Sequence, residues 1–395
     1  MKVLIVSPFF PFPEDSGSKI RLASLIKSLQ GHDIFLIAFR ERGEAIDEGK
    51  MRAACREFHV FERPRIPPFR EWLNHFSTRP MLIRRFFDAR ALRKAREIVR
   101  DEKVDVLVIE TLLMAKYALR APGLRLVLDE HNLEFARAAS RLAATRGLWF
   151  RLYNYLIMRR LRRFELRVIR GCDRCLVCSE EDAKMLAGLT RGDAVVVVPN
   201  VVDTDHFAPR PEFPGSRKIV FSGTLWYEPN RDAVLYFARE ILPLVRARVM
   251  EVEFVVIGPG PSWDVVELSG QGDVTITGYV DDIRPLLAEA AVVVAPIRMG
   301  SGTRFKILTA MAMGLPVVST SLGMQGIEAR DRESICVADK PEAFCDCVCS
   351  LLSDVPFRRR IGRGGRDMVE GRYSLRATLP GLRALWDGIA AGRRP

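Results

Sequence analysis

Along the chain, short apolar runs rich in valine and isoleucine alternate with longer stretches in which apolar residues recur every three or four positions. Runs at 3–6, 34–38, 104–109, 124–128 and 175–178 occupy the first half; a second set at 219–222, 253–257, 274–277, 292–295 and 316–319 follows. Each run has the length of a strand buried on both faces, and the helical patterns between them supply the crossovers that parallel pairing needs. The prediction is an α/β protein with two parallel sheets, each covered by helices. The alternation breaks at Val198-Pro199-Asn200 and the polar, proline-containing stretch that follows, so the hinge is expected near residue 200. Residues 1–200 then form one Rossmann-like domain and 201–374 a second. Residues 375–395 carry Leu379, Leu382, Leu385, Trp386 and Ile389 at helical spacing and read as a terminal helix.

One segment carries chemistry as well as pattern. Val292-Val293-Val294-Ala295 is closed by Pro296, Gly300-Ser301-Gly302 forms a loop, and Phe305, Leu308, Met311 and Ala312 recur as one helical face. Gly314 stands where a helix ends in a left-handed residue, and Pro316 prevents its continuation. The resulting βαβ unit points free backbone N–H groups at an anion, with Arg304 and Lys306 in the first turn. No Gly-Lys-Ser/Thr closes the loop, so it is not a P-loop. Near the start, the strand 3–6 runs through Pro8 to Pro13 into Ser16-Gly17-Ser18, another glycine turn before a helix from Ile20 to Leu29.

Composition narrows the setting. The 395 residues are 48% hydrophobic and 28% charged, and the length calls for two domains. No apolar run reaches the roughly 20 residues of a membrane span, and the start lacks a signal peptide pattern, so a cytosolic location is expected. In that compartment the eight cysteines are expected to be free thiols. Cys172, Cys175 and Cys178 lie in a buried strand region without a fourth ligand, and Cys345, Cys347 and Cys349 lie on one helix; no metal is predicted. The net charge of +12 calls for an anionic partner. Part of it is a series, Arg159, Arg160, Arg162, Arg163 and Arg167, beside Leu148, Trp149, Phe150, Tyr153 and Ile157, a pattern fitting either an amphipathic helix at a membrane or a solvated face.

Taken together, the Pro296–Thr320 motif, the Gly17 turn, Asp129-Glu130-His131-Asn132, Phe221-Ser222-Gly223, Pro229-Asn230, Ile257-Gly258 and Gly278-Tyr279-Val280 resemble family 4 retaining glycosyltransferases. The resemblance covers nearly the whole chain and implies the GT-B fold: two Rossmann-like domains facing a central cleft, with the terminal helix returning to the first. It implies transfer of a hexose from an NDP-sugar to a lipid-linked glycan or cell-surface polysaccharide precursor, with no metal or other cofactor, at the inner face of the cell membrane.

By the same resemblance His131, Arg304 and Lys306 are the catalytic candidates. Gly17, Ser18, Asn200, Gly223, Thr224, Gly258, Tyr279, Gly300, Ser301, Gly302, Thr303 and Thr309 are the donor-binding ones. His131 is expected to meet a sugar hydroxyl as a neutral imidazole. Glu130 and Glu134 are expected to be solvated carboxylates at a helix start. The chain departs from the family at Ser301 and Thr309, where relatives carry acidic residues, and at Thr224, where arginine is frequent. A hydroxyl at Thr309 lacks the bidentate grip of a carboxylate on a ribose diol. These departures leave open a non-catalytic partner protein with the same fold; a nucleic-acid binder is a further reading, without a recognisable reader motif.

Overall fold

In a computed structural model the chain is described over residues 1–391, apart from 15, 65–82, 84, 145–146, 192–193, 210–214 and 301. It divides into two compact units, Met1–Val201 with Leu379–Pro395, and Val202–Thr378.

The first unit holds β1 (Lys2–Ser7), β2 (Asp33–Arg40), β3 (Glu57–Glu62), β4 (Val106–Glu110), β5 (Arg125–Glu130), β6 (Arg174–Val177) and β7 (Val195–Val197). They form one sheet in the order β3-β2-β1-β4-β5-β6-β7, and every neighbouring pair is parallel. Residues such as Val3 to Val6 and Val106 to Ile109 are fully buried because helices cover both faces. The apolar runs located the inner strands. They missed β3, a half-buried edge strand in which polar residues alternate with apolar ones, and β7, three half-buried valines.

The Leu375–Ala390 helix belongs mostly to this unit: Leu382, Trp386 and Ile389 join the core beneath β1 and β2, and Trp386 Nε1 donates to Ser28 Oγ at 2.9 Å. On the opposite side of the chain's first half, the Leu148–Gly171 helix buries Leu161, Leu166 and Ile169 near its C-terminal end and packs along the Glu134–Ala144 helix. Glu165 locks the two together by accepting from the backbone N–H groups of Glu134 and Phe135 at 2.7 and 2.8 Å, thereby filling positions a helix start leaves unpaired.

The second unit holds β8 (Lys218–Ser222), β9 (Glu253–Ile257), β10 (Val274–Gly278), β11 (Val292–Ala295), β12 (Val317–Ser319) and β13 (Cys336–Val337). The sheet order is β10-β9-β8-β11-β12-β13, again wholly parallel. After β11 the Phe305–Ala312 helix ends as expected: Gly314 has φ +71°, its N–H reaches Met311 O, and Leu315 N–H reaches Ala310 O.

Candidate functional site

Both sheets reverse strand order at one place, between β1 and β4 in the first and between β8 and β11 in the second. Loops leaving the carboxyl ends of strands on either side of such a reversal diverge to opposite faces and leave a crevice, which is where ligands bind open α/β sheets. Most of the candidate residues sit at these two places.

In the second unit, the motifs at Phe221-Ser222-Gly223 and Pro229-Asn230 meet at Lys306. Its Nζ donates to Asn230 Oδ1 at 2.7 Å and lies 3.8 Å from the centre of the Phe221 ring at the end of β8. Asn230 Nδ2 in turn donates to Thr224 O at 2.9 Å. Gly223 has φ +151°, and a Cβ there would stand 2.7 Å from Lys306 Nζ. At Gly258, after β9, a Cβ would lie 2.0 Å from the carbonyl oxygen of Gly223, so no side chain fits between the two loops.

The β11 loop turns with φ +104° at Gly300 and +84° at Gly302, and Arg304 Nη1 donates to the Gly302 carbonyl. The helix that follows starts at Phe305 without a side-chain cap. A helix start without a side-chain cap, a guanidinium and a lysine amine therefore meet at one place, an arrangement suited to phosphate. Burial, and then the charge of Arg304, push Lys306 well below the ordinary lysine pKa. Its positive charge is therefore disfavoured until an anion offsets burial and Arg304.

Not every residue of the recognised motifs faces that crevice. Arg298 makes two bonds to Asp232, at 3.1 and 2.7 Å, and stacks over Tyr236. Thr309 is buried and its Oγ1 donates to Lys306 O at 3.1 Å, so a ribose contact there would need that bond to be given up. Thr303 Oγ1 lies 3.5 Å from Gly326 O, and Tyr279 is 62% exposed. Ser301 falls outside the described residues.

In the first unit, Gly17 and Ser18 open the Gly17–Ser28 helix and are half-buried. One turn further, Arg21 is buried and reaches both oxygens of Asp129 through Nε and Nη2. Its Nη1 donates to Val198 O at 2.8 Å and to Asn200 Oδ1 at 3.1 Å. Asn200 is therefore a buried partner of Arg21. Sequence reasoning passed over Arg21, which looks like any residue of an amphipathic helix.

His131 follows β5. Its Nε2 lies 2.7 Å from Glu110 Oε2 and 3.5 Å from Asp129 Oδ2, and Phe9 packs against the ring at a centroid distance of 5.8 Å. Burial alone would lower its pKa; Glu110 and Asp129 raise it to about 9. The expectation of a neutral imidazole is corrected to a charged one. Burial would raise Asp129 as well, but Arg21 holds it below the usual carboxylate range.

The solvated carboxylates also need correction. Glu130 is buried, and burial with the adjacent Glu165 carboxylate keeps its pKa well above normal; Glu134 is half-buried and is likewise raised by burial. Glu110, Asp129 and His131 place ligand-type atoms within 4.8 Å of one another. Arg21 grips Asp129 and His131 reaches Glu110, so each carboxylate already has a basic partner within the protein, while burial and then Asp129 raise Glu110 to about 7.

Cys175 and Cys178 are buried, with Cys178 Sγ 3.3 Å from His131 O, and all eight cysteines are free. Among the described residues no helix is long and apolar enough to cross a membrane.

Known proteins match over both units. Residues 20–206 match the family described as Glycosyltransferase Family 4, and residues 216–354 match Glycosyl transferases group 1. An uncharacterized 44.6 kDa protein in the cps region of Klebsiella pneumoniae is 19% identical over 94% of this chain and 96% of its own length. Among solved structures, Anabaena HepE in complex with UDP is 12% identical with a TM-score of 0.68, over 99% of this chain and 100% of that one. Sucrose-phosphate synthase from Thermosynechococcus elongatus is 15% identical with a TM-score of 0.73, covering 99% and 100% of the two chains. TarM is 11% identical with a TM-score of 0.71, covering 98% of each. With two such sheets, phosphate-suited loops at the reversal of the second, and these matches along both halves, the chain belongs to the family 4 glycosyltransferases and has their GT-B fold.

Proposed function

We propose that this glycosyltransferase takes a hexose from an NDP-sugar, with retention of anomeric configuration, and delivers it to a lipid-linked glycan or cell-surface polysaccharide precursor. The observation that carries the reading is the convergence of Gly223, Asn230, Arg304 and Lys306 at the end of β8 and the loop after β11. In such a reaction the leaving group is a nucleoside diphosphate whose negative charge grows as the glycosidic bond breaks. Fixed cations and helix N–H groups at that position stabilise the transition state more than the ground state. Arg304, Lys306 and the Phe305–Ala312 helix start fill this role without a divalent ion or other cofactor. Solved relatives of this fold bind compatible ligands: Anabaena HepE was solved with UDP and glucose, and with UDP-glucose.

The acceptor class rests on the Leu148–Gly171 helix. Leu148, Trp149 and Phe150 are 79%, 80% and 70% exposed, and Leu152, Tyr153, Tyr155, Leu156 and Ile157 continue the same exposed stretch. Exposed Arg159, Arg160, Arg162 and Arg163 follow at once. An apolar, aromatic tip with an arginine collar matches an anionic bilayer, rings among the acyl chains and guanidinium groups at the phosphates. A cytoplasmic enzyme resting on the inner face of the membrane follows from that reading.

The test is release of nucleoside diphosphate from a panel of NDP-sugars supplied with polyprenyl-linked glycans in anionic vesicles. Turnover with one donor and a product of unchanged anomeric configuration is expected. Donor binding without turnover across the panel would favour the non-catalytic partner protein instead.

A further inference from the structure

The pair formed by Glu110 and His131 has a use that depends on the transfer reading above. Glu110 and Asp129 are register partners at the carboxyl ends of adjacent strands β4 and β5. Asp129 is committed to Arg21, which grips both of its oxygens. Glu110 is fully buried, and the one hydrogen bond to its carboxylate among the described residues comes from His131. Its Oε1 has no partner among those residues. A buried carboxylate without a cation is costly, so its charge and the second proton of the imidazole depend on each other.

The backbone reinforces the placement. Thr111, the next residue, has φ +62° and ψ +161°, a conformation that residues with a side chain rarely adopt. Its Oγ accepts from Leu113 N–H at 3.2 Å and starts the short Leu112–Tyr117 helix. Chain direction thus changes sharply one residue after the carboxylate, at the sheet's strand reversal.

We propose that Glu110 is a positioning residue that keeps His131 doubly protonated, with Nε2–H fixed on Glu110, so that Nδ1–H is the hydrogen bond the ring offers to an oxygen of a substrate bound at the first sheet's strand reversal. His131 is then a cationic donor. It has no lone pair left with which to take a proton from the acceptor hydroxyl, so it is not the general base of the transfer. The groups that set its charge are Glu110 on β4 and Asp129 on β5; around them stand Arg21 on the Gly17–Ser28 helix, bound to Asp129, and the Cys178 thiol just past β6, which lies against the His131 carbonyl. Arg21 opposes the proton but is neutralised by Asp129, which leaves Glu110 as the carboxylate whose loss matters most.

The experiment is an NMR titration of the ring signals of the five histidines in the full chain, with His131 assigned through His131→Asn. Wild-type His131 should stay protonated past pH 8. In Glu110→Gln it should titrate at least about one pH unit lower, and Glu110→Asp should recover part of that shift. The alkaline limb of kcat/KM should move down with it in Glu110→Gln. A wild-type His131 that titrates below pH 7, or a titration unmoved by Glu110→Gln, overturns the proposal, and the wild-type measurement decides even where a variant misfolds. If the shift appears but no donor is turned over, the pairing stands and the transfer reading is what has failed.

Discussion

Replacing Arg21 by Met keeps most of the volume of the side chain and removes its charge, which isolates the network beneath the first sheet's crevice. Arg21 is 4% exposed and Asp129 fully buried, so the substitution leaves a carboxylate in the protein interior, with His131 at 3.5 Å as the nearest remaining cation. It also strips a donor from Val198 O and from Asn200 Oδ1. Removing one partner of a buried ion pair costs about 3–5 kcal/mol. For a unit of roughly 150–250 residues each kcal/mol moves Tm by roughly 2–4 °C, so a fall of roughly 6–20 °C is expected near pH 7.

The pH dependence has a definite sign. In the wild type Asp129 titrates below its unfolded value, so its contribution is complete above that value and is lost as the pH falls through the folded one. Without Arg21, burial raises the same carboxyl above its unfolded value, and the variant gains stability as the pH drops. The difference between the two proteins should therefore narrow from pH 7 toward pH 4. Calorimetry on both across that range measures it directly. A change under 2 °C at pH 7, or a gap that widens on acidification, would refute the account of Arg21 as the counter-ion of Asp129.

Other expectations concern the second unit and the exposed helix. Lys306→Ala should lower kcat by about 10²–10³-fold with the preferred donor, as loss of one transition-state donor does, and unchanged turnover would remove it from the mechanism. Because burial holds the pKa of Lys306 down in the free protein, binding of a diphosphate should draw in a proton, so nucleoside diphosphate affinity should weaken as pH rises from 6 to 9. Calorimetric titration in buffers of different ionisation enthalpy would show that uptake, and pH-independent affinity would count against it. The double variant Trp149→Ser with Phe150→Ser should abolish flotation with anionic liposomes while leaving the melting temperature within about 2 °C, since both side chains are exposed. Persistent flotation would move the membrane contact elsewhere.

Strand positions and the Gly300–Gly314 unit could be read from the sequence because both depend on local rules: buried parallel strands are continuous apolar runs, and a loop between strand and helix needs glycine where φ is positive. The charge network could not. Arg21, Glu110, Asp129 and Asn200 lie far apart in the chain and meet only through strand order, and nothing in the sequence near Glu110 distinguishes it from a surface acid at a strand end. The same limit produced the error at Glu130, whose burial comes from the packing of the Leu148–Gly171 helix. At Thr309 the sequence does not tell where the hydroxyl points, because a hydroxyl inside a helix can turn back on its own backbone.

The helix that carries Trp386 gives the molecule an order of assembly. Chain order is first sheet, second sheet, then Leu375–Ala390, yet Leu382, Trp386 and Ile389 seal the layer beneath β1 and β2. During synthesis the ribosome releases the residues of the first sheet long before the side chains that complete its core. The second unit, by contrast, has all its strands as soon as Cys336–Val337 emerges. The first unit to be made is thus the last to be finished. A nascent chain lacking its final helix would expose apolar surface around Ser28, and interruption near residue 378 would damage the part of the protein most distant in sequence from the break.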